Sequence, residues 1–243
     1  MDSPRRTIPS PSAPEWHFSG FKAGSVNAKW LIPLCLAGLT VGAVAKDEGS
    51  IEGTVQLPPP AVERALNQRY GANIEAPLTP SNPPAAVVYL EGNFTANAKT
   101  TSGAVAQMSQ KNMLFAPDLI AVRTGGAVEF PNLDDTYHNV FSYSKAKRFD
   151  LGRYRKNEKP GTVVFDKPGV VTVHCEIHDR MRGTVLVLET PYFQKTDSTG
   201  HYRLDHLPLG HFTLKAWINE ANVREHTVEL KSGARLQLDF NAK

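Results

Sequence analysis

The sequence predicts an all-β protein of the sandwich type. Three observations lead there. Val, Thr, Phe and Tyr dominate the second half of the chain, and these residues suit a pleated, half-buried surface. Short stretches of alternating apolar and polar residues recur along the chain, as half-buried strands require. Gly, Pro, Asn and Asp cluster between those stretches at short intervals, which is the spacing of a sandwich or barrel. With 243 residues and 41% hydrophobic content, the chain can bury one large core or two small ones.

The first 45 residues have the order of an export signal: basic Arg5, Arg6, Lys22 and Lys29, then apolar Leu31 to Gly42, then the small residues Ala43, Val44 and Ala45. Cleavage is expected after Ala45 and the mature protein in the periplasm. An uncleaved anchor is the alternative, but an apolar run interrupted by Pro33 falls short of the roughly 20 residues a span needs. Cleavage removes four basic and two acidic residues and leaves 23 basic against 22 acidic. That balance argues against nucleic acid and against a stable membrane-surface role. It also removes Cys35, so Cys175 remains as a lone thiol that can form no internal disulfide.

Residues 50–57 (SIEGTVQL) alternate as a strand and stop at Pro58-Pro59-Pro60. Residues 61–70 (AVERALNQRY), with proline before and Gly71 after, have the best helical pattern and predict a short surface helix. A proline-rich link over 77–84 leads to a second strand, 85–91 (AAVVYLE), and residues 92–107 are small, polar and loop-like. Strands are then expected over 119–122, 127–130, 138–143, 162–165, 170–175 and 184–188. The intervening turns are marked by Gly125-Gly126, by Asn132 with Asp134-Asp135, and by Lys167-Pro168-Gly169. After the turn Thr196 to Gly200, strands over 201–204, 212–218, 226–230 and 234–240 complete the chain. The basic group Lys145, Lys147, Arg148, Arg153, Arg155 and Lys156 reads as a solvated loop, with docking of an acidic partner as its functional alternative.

The chemistry concentrates at Cys175-Glu176-Ile177-His178-Asp179-Arg180-Met181, between two strands, with His138 opening another strand 37 positions earlier. A thiolate, two imidazoles and a thioether are the soft and borderline donors that suit copper, and a trigonal Cys-plus-two-His set with a weak axial Met defines an electron-transfer site. A tight loop leaving a strand can turn Cys175, His178 and Met181 around one ion, while His138 on another strand makes the site depend on the fold. Zinc competes for thiolate and imidazole but is a poor match for methionine. His174 neighbours Cys175 on an alternating strand and should point to the other face. His201, His206, His211 and His226 lack ligand spacing and read as surface residues, and Met108 and Met113 as packing.

Residues 131–143 (PNLDDTYHNVFSY) and 171–187 (VTVHCEIHDRMRGTVLV) resemble the cupredoxins, with the short Cys-x2-His-x2-Met loop of amicyanin rather than the longer loops of plastocyanin and pseudoazurin. The chain as a whole is also similar to bacterial proteins labelled methylamine utilisation or plastocyanin-like. The resemblance implies a Greek-key β-sandwich over 107–188 that holds one copper, cycling between Cu+ and Cu2+, on His138, Cys175, His178 and Met181. It further implies that Asn139 hydrogen-bonds the cysteine-side loop and that His178 lies near the surface as the electron port. Where amicyanin has prolines and an aromatic in its ligand loop, this chain has Glu176, Asp179 and Arg180, which leaves an apolar docking patch in doubt.

Residues 196–214 resemble the carboxypeptidase regulatory-like sandwich, whose opening strand pair is missing from the tail but looks like 51–55 and 86–90. The expected organisation is a split regulatory-like domain, 46–106 and 189–243, with the copper domain 107–188 inserted; one extended cupredoxin with a β appendage is the alternative. The function expected is single-electron transfer between redox proteins, such as a dehydrogenase or cytochrome, by a monomer that is not an enzyme. A copper-binding module for storage, delivery or assembly would use the same ligands. A multicopper oxidase is disfavoured because Glu176, not His, follows Cys175.

Overall fold

The computed structural model describes residues 48–60, 82–92, 94 and 105–241. The expected signal over 1–45, the helix over 61–70 and most of the proline-rich link lie outside the described residues. Among those described, the protein is all-β and contains no helix.

In chain order the strands are β1 (Gly49–Thr54), β2 (Val87–Leu90), β3 (Ala106–Gln107), β4 (Ser109–Lys111), β5 (Leu114–Ala116), β6 (Leu119–Arg123), β7 (Gly126–Phe130), β8 (His138–Tyr143), β9 (Arg148–Tyr154), β10 (Gly161–Phe165), β11 (Gly169–His174), β12 (Arg182–Leu188), β13 (Phe193–Lys195), β14 (His201–Leu207), β15 (Gly210–Asn219), β16 (Asn222–Leu230) and β17 (Arg235–Gln237).

Strands β3 to β12 pair among themselves. Five form a sheet in the order β6-β12-β11-β8-β9, and three form the facing sheet β10-β7-β3. The chain leaves the first sheet after β9, crosses to the second as β10, and returns as β11 beside β8, which is a Greek-key connection. Between the sheets lie Val128, Phe130, Val163 and Phe165 from one side and Val140, Val171, Val173, Val185 and Val187 from the other.

Strands before residue 91 pair with strands after residue 192. β1 runs antiparallel to β14, from Gly49 opposite Leu207 to Thr54 opposite His201, and parallel to β17. β2 lies between β13 and β15. These strands make two sheets, β14-β1-β17 and β13-β2-β15-β16, which enclose Ile51, Val88, Leu90, Tyr202, Leu214, Val228 and Phe240. Gly53 is required at the β1–β17 contact, because a Cβ there would lie 1.8 Å from the Leu238 carbonyl oxygen.

Alternation puts two cores on one sheet. In β2, Val88 and Leu90 face the second sandwich while Val87 and Tyr89 face out of it. In β6 and β12, Ile120, Val122, Val185 and Val187 face the first core, while Leu119, Ala121, Leu186 and Leu188 face outward. The two outward sets meet around Trp217 and Phe193.

The structure departs from expectation in several places, among them β4, β5 and β13, which form where no strand was expected. Residues 148–154 form a strand, not a loop: Phe149 and Leu151 pack inward while Arg148, Asp150 and Arg153 face water, the pattern of a charged edge strand. Ala106 and Gln107 pair with β7 although they were expected in a loop. Met113 is exposed at a turn instead of packed.

Candidate metal centre

His138 and Cys175 are aimed by the strands they open or follow. In β11, Val171 and Val173 face the core, and Cys175 continues that parity just past the end of the strand, buried at 4% exposure. His174 has the opposite parity and faces the outer side of the sheet, opposite Phe141. In β8, His138 shares the inward side with Val140 and is fully buried. The loop 175–181 is closed by its own backbone. The Met181 amide donates to the His178 carbonyl at 2.9 Å, and the Cys175 amide donates to the Met181 carbonyl at 3.3 Å.

The structure brings His138, Cys175 and His178 together, with their donor atoms all within 4.8 Å of one another. His138 Nδ1 and His178 Nδ1 are 3.0 Å apart, and each lies 3.9 Å from Cys175 Sγ. This is an isosceles triangle, and it can be tested against bond lengths. A first-row ion in its plane about 2.0 Å from both nitrogens would stand about 2.3 Å from the sulfur, ordinary lengths for imidazole and thiolate bonds. The donor set therefore fits a trigonal metal site. Met181 is fully buried in the same cluster as Cys175. Asn139 is buried and its Oδ1 accepts from the Glu176 amide at 2.8 Å, which ties the His138 strand to the cysteine loop.

One residue of the site was missed in the sequence. Asp134 was read only as a turn former, yet its Oδ2 lies 2.9 Å from His138 Nε2. That contact places the ring proton on Nε2 and leaves the Nδ1 lone pair facing the site, as a carboxylate behind a metal-binding histidine does. Asp134 also accepts from the amides of Asn112 at 2.7 Å and Met113 at 2.9 Å. Both residues have positive φ, 56° and 57°, in the β4–β5 turn. Partial burial by itself would raise the Asp134 pKa, but the bonds from the Met113 amide, His138 and the Asn112 amide outweigh it and hold the carboxyl below the usual aspartate range. The four-residue Asp-to-His spacing was the available signal.

Tyr154 stands opposite His138 on β9. Its hydroxyl donates to the Phe130 carbonyl at 2.6 Å and accepts from Gln110 Nε2 at 2.6 Å. Burial pushes its pKa up to about 12, so it remains a neutral phenol beside the site. His178 is half-buried, and burial, with His138 nearby, lowers its pKa; it stays a neutral donor near pH 7. Next to it in the chain, exposed Ile177 lines a shallow groove with exposed Tyr137, Arg153 and Glu176. Arg153 pairs with Glu176 at 2.5 Å, and Arg155 lies 4.3 Å from the Tyr137 ring centre. Tyr137, from a different loop, thus adds an aromatic side chain beside Ile177 of the ligand loop. His201, His206, His211 and His226 are exposed on the second sandwich.

No protein-family model and no curated protein matches the chain. Solved structures with local likeness include a purple cupredoxin, amicyanin and a nitrite reductase. A purple cupredoxin from Nitrosopumilus maritimus is 22% identical over 34% of this chain and 98% of its own, with a TM-score of 0.30. The Cu(I) form of an amicyanin Met-to-Gln mutant is 21% identical over 33% of this chain and 79% of its own, at 0.31. A copper-containing nitrite reductase from Thermus scotoductus SA-01 is 23% identical over 41% of this chain but only 26% of its own, at 0.35. Those scores are too low to carry an assignment, and the site is read from its own geometry.

Proposed function

We propose that this chain is an exported type 1 copper protein of the cupredoxin kind that passes single electrons between redox proteins. The observation that carries this reading is the triangle of His138 Nδ1, His178 Nδ1 and Cys175 Sγ, closed by a loop whose Met181 is fully buried in the same core. His138, Cys175, His178 and Met181 would hold the ion, and copper would supply a one-electron couple there. The protein's part is to keep the donors still. Asp134 fixes the tautomer of His138, Asn139 ties the two loops, and the Met181 amide closes the ligand turn. Donors held by strands and by one another change position little with oxidation state, which favours fast exchange over storage, where a mobile open site would serve better. Burial of Cys175 and His138 also excludes water from the thiolate.

The same reading places the protein in the periplasm as a non-enzymatic monomer. The copper domain, 107–188, would be inserted in a split sandwich formed by 46–106 and 189–243, supported by the pairing of β1 with β14 and β17. The test is the visible spectrum of purified protein loaded with Cu(II). An intense thiolate-to-copper band that disappears in Cys175→Ser is expected. A colourless protein with full copper loading would overturn the reading.

A further inference from the structure

The β4–β5 hairpin forms a two-stranded sheet of its own, so bonds outside the main sheets set its place. On the β4 side, Gln110 reaches the segment that leads to His138. Its amide donates to the Pro131 carbonyl at 2.8 Å, and its carbonyl accepts from the Leu133 amide at 2.9 Å. Its fully buried side chain donates from Nε2 to the Phe130 carbonyl at 3.1 Å and to the Tyr154 hydroxyl at 2.6 Å. At the tip, Asn112 and Met113 both have positive φ, the hairpin turn geometry in which the second residue is ordinarily glycine. That conformation aims two successive amides at one carboxylate, Asp134, whose Oδ2 also receives His138 Nε2.

The β5 side is held from elsewhere. Asn82 Nδ2 donates to the Phe115 carbonyl at 2.6 Å, and Phe115 is buried in the core that contains Cys175 and Met181. Asn82 lies outside the first sandwich, in the segment that enters β2. Pro83 and Pro84 follow it, and their rings fix φ. Ala86 then exchanges two bonds with Thr196: its carbonyl accepts from the Thr196 amide at 2.9 Å, and its amide donates to Thr196 Oγ1 at 3.0 Å. A stiff segment anchored in the second sandwich therefore ends on the hairpin whose tip grips the carboxylate behind His138. A hairpin that served only to bury Phe115 would require neither the paired amides on Asp134 nor a donor from outside the sandwich.

We propose that the β4–β5 hairpin is a positioning element of the metal centre and that Asn82, from outside the copper-binding sandwich, is a positioning residue that helps to set the reduction potential. The proposal rests on the electron-carrier reading. Asn82 acts through the hairpin: it holds Phe115, the turn holds Asp134, and Asp134 holds the His138 ring. A firm contact at Nε2 strengthens Nδ1 as a donor and favours Cu(II). Loosening the hairpin therefore raises the potential.

The test compares the whole chain with Asn82→Ala and with Asn82→Gln, which keeps an amide donor. In 15N-labelled metal-free protein, exchange of the His138 Nε2 proton with water should speed about tenfold in Asn82→Ala, as expected for loss of one hydrogen bond from the chain of contacts, and return towards wild type in Asn82→Gln. With copper bound, the affinity ratio of Cu(I) over Cu(II) should rise about threefold in Asn82→Ala, or about 28 mV for a one-electron couple. Tyr202→Phe serves as the control for stability alone. It removes a hydroxyl bonded to the Leu238 carbonyl in the second sandwich, so it should lower the urea midpoint and leave both readouts unchanged. Wild-type exchange and potential in Asn82→Ala, or equal changes in Tyr202→Phe, would overturn the positioning role and leave the electron carrier standing. A wild-type protein whose bound copper shows no reversible one-electron couple would overturn the carrier reading and the claim on the potential with it, even where exchange of the His138 proton responds to Asn82→Ala.

Discussion

Replacing Asp134 with Asn tests whether the carboxylate behind His138 builds the site. The side chain is 16% exposed and receives three hydrogen bonds: Asn112 N–H on Oδ1, and Met113 N–H and His138 Nε2–H on Oδ2. Asn keeps the shape but offers one acceptor oxygen. The better orientation puts that oxygen in the place of Oδ2 and sets an NH2 against the Asn112 amide. One charge-assisted bond, worth roughly 1.5–3 kcal/mol, is lost, and two others weaken to neutral strength, at roughly 1 kcal/mol in total. Partial exposure offsets some of this, so the metal-free protein should lose about 3 kcal/mol in urea unfolding. The His138 ring is also freed to adopt the wrong tautomer. Copper affinity, measured by competition with a chelator, should fall about 10- to 100-fold. Stability within about 0.5 kcal/mol of the wild type together with unchanged affinity would refute the role assigned to Asp134.

Four further outcomes are expected. Asn139→Ala removes the acceptor of the Glu176 amide and should cost roughly 1–3 kcal/mol of stability; an altered copper spectrum would accompany it if the tie holds the ligand loop. Met181→Leu, nearly volume-conserving in a fully buried position, should cost under about 1.5 kcal/mol and still bind copper, with a shifted reduction potential by voltammetry. Gly53→Ala places a Cβ 1.8 Å from the Leu238 oxygen, so β17 must move; a loss of about 3 kcal/mol or more is expected, with the copper spectrum unchanged. A chelator should remove copper from the wild type and lower its melting temperature, because an ion bound only by the folded state stabilises it by mass action.

Two features of the strands explain why the all-β class was legible and strand β9 was not. Val88 and Leu90, Val171 and Val173, and Val185 and Val187 recur at every second position, and such alternation survives any arrangement of sheets because it follows from the pleat. β9 carries the same alternation in Phe149 and Leu151, but charges at Arg148, Asp150 and Arg153 masked it. Those charges are what a sheet edge calls for, and nothing local to the segment says that it is an edge. The register of β1 beside both β14 and β17 was likewise beyond local pattern, since it joins segments about 150 and 185 residues apart. Resemblance in the tail suggested it; backbone pairing is what displays it.

The sequence by itself determined the kinds of donor and the tightness of the loop: a thiolate, an imidazole and a thioether within seven residues, and one distant histidine. These are chemical identities and short-range spacings, which do not depend on the fold. Tertiary structure decided which atoms of those residues meet, through the parity of His138 on β8 and of Cys175 beyond β11. It made Asp134 the partner of His138 Nε2. Those relations depend on which strands become neighbours and on which side of a sheet is covered. Both are settled by burying two cores at once, a condition on the whole chain that no short stretch of it contains.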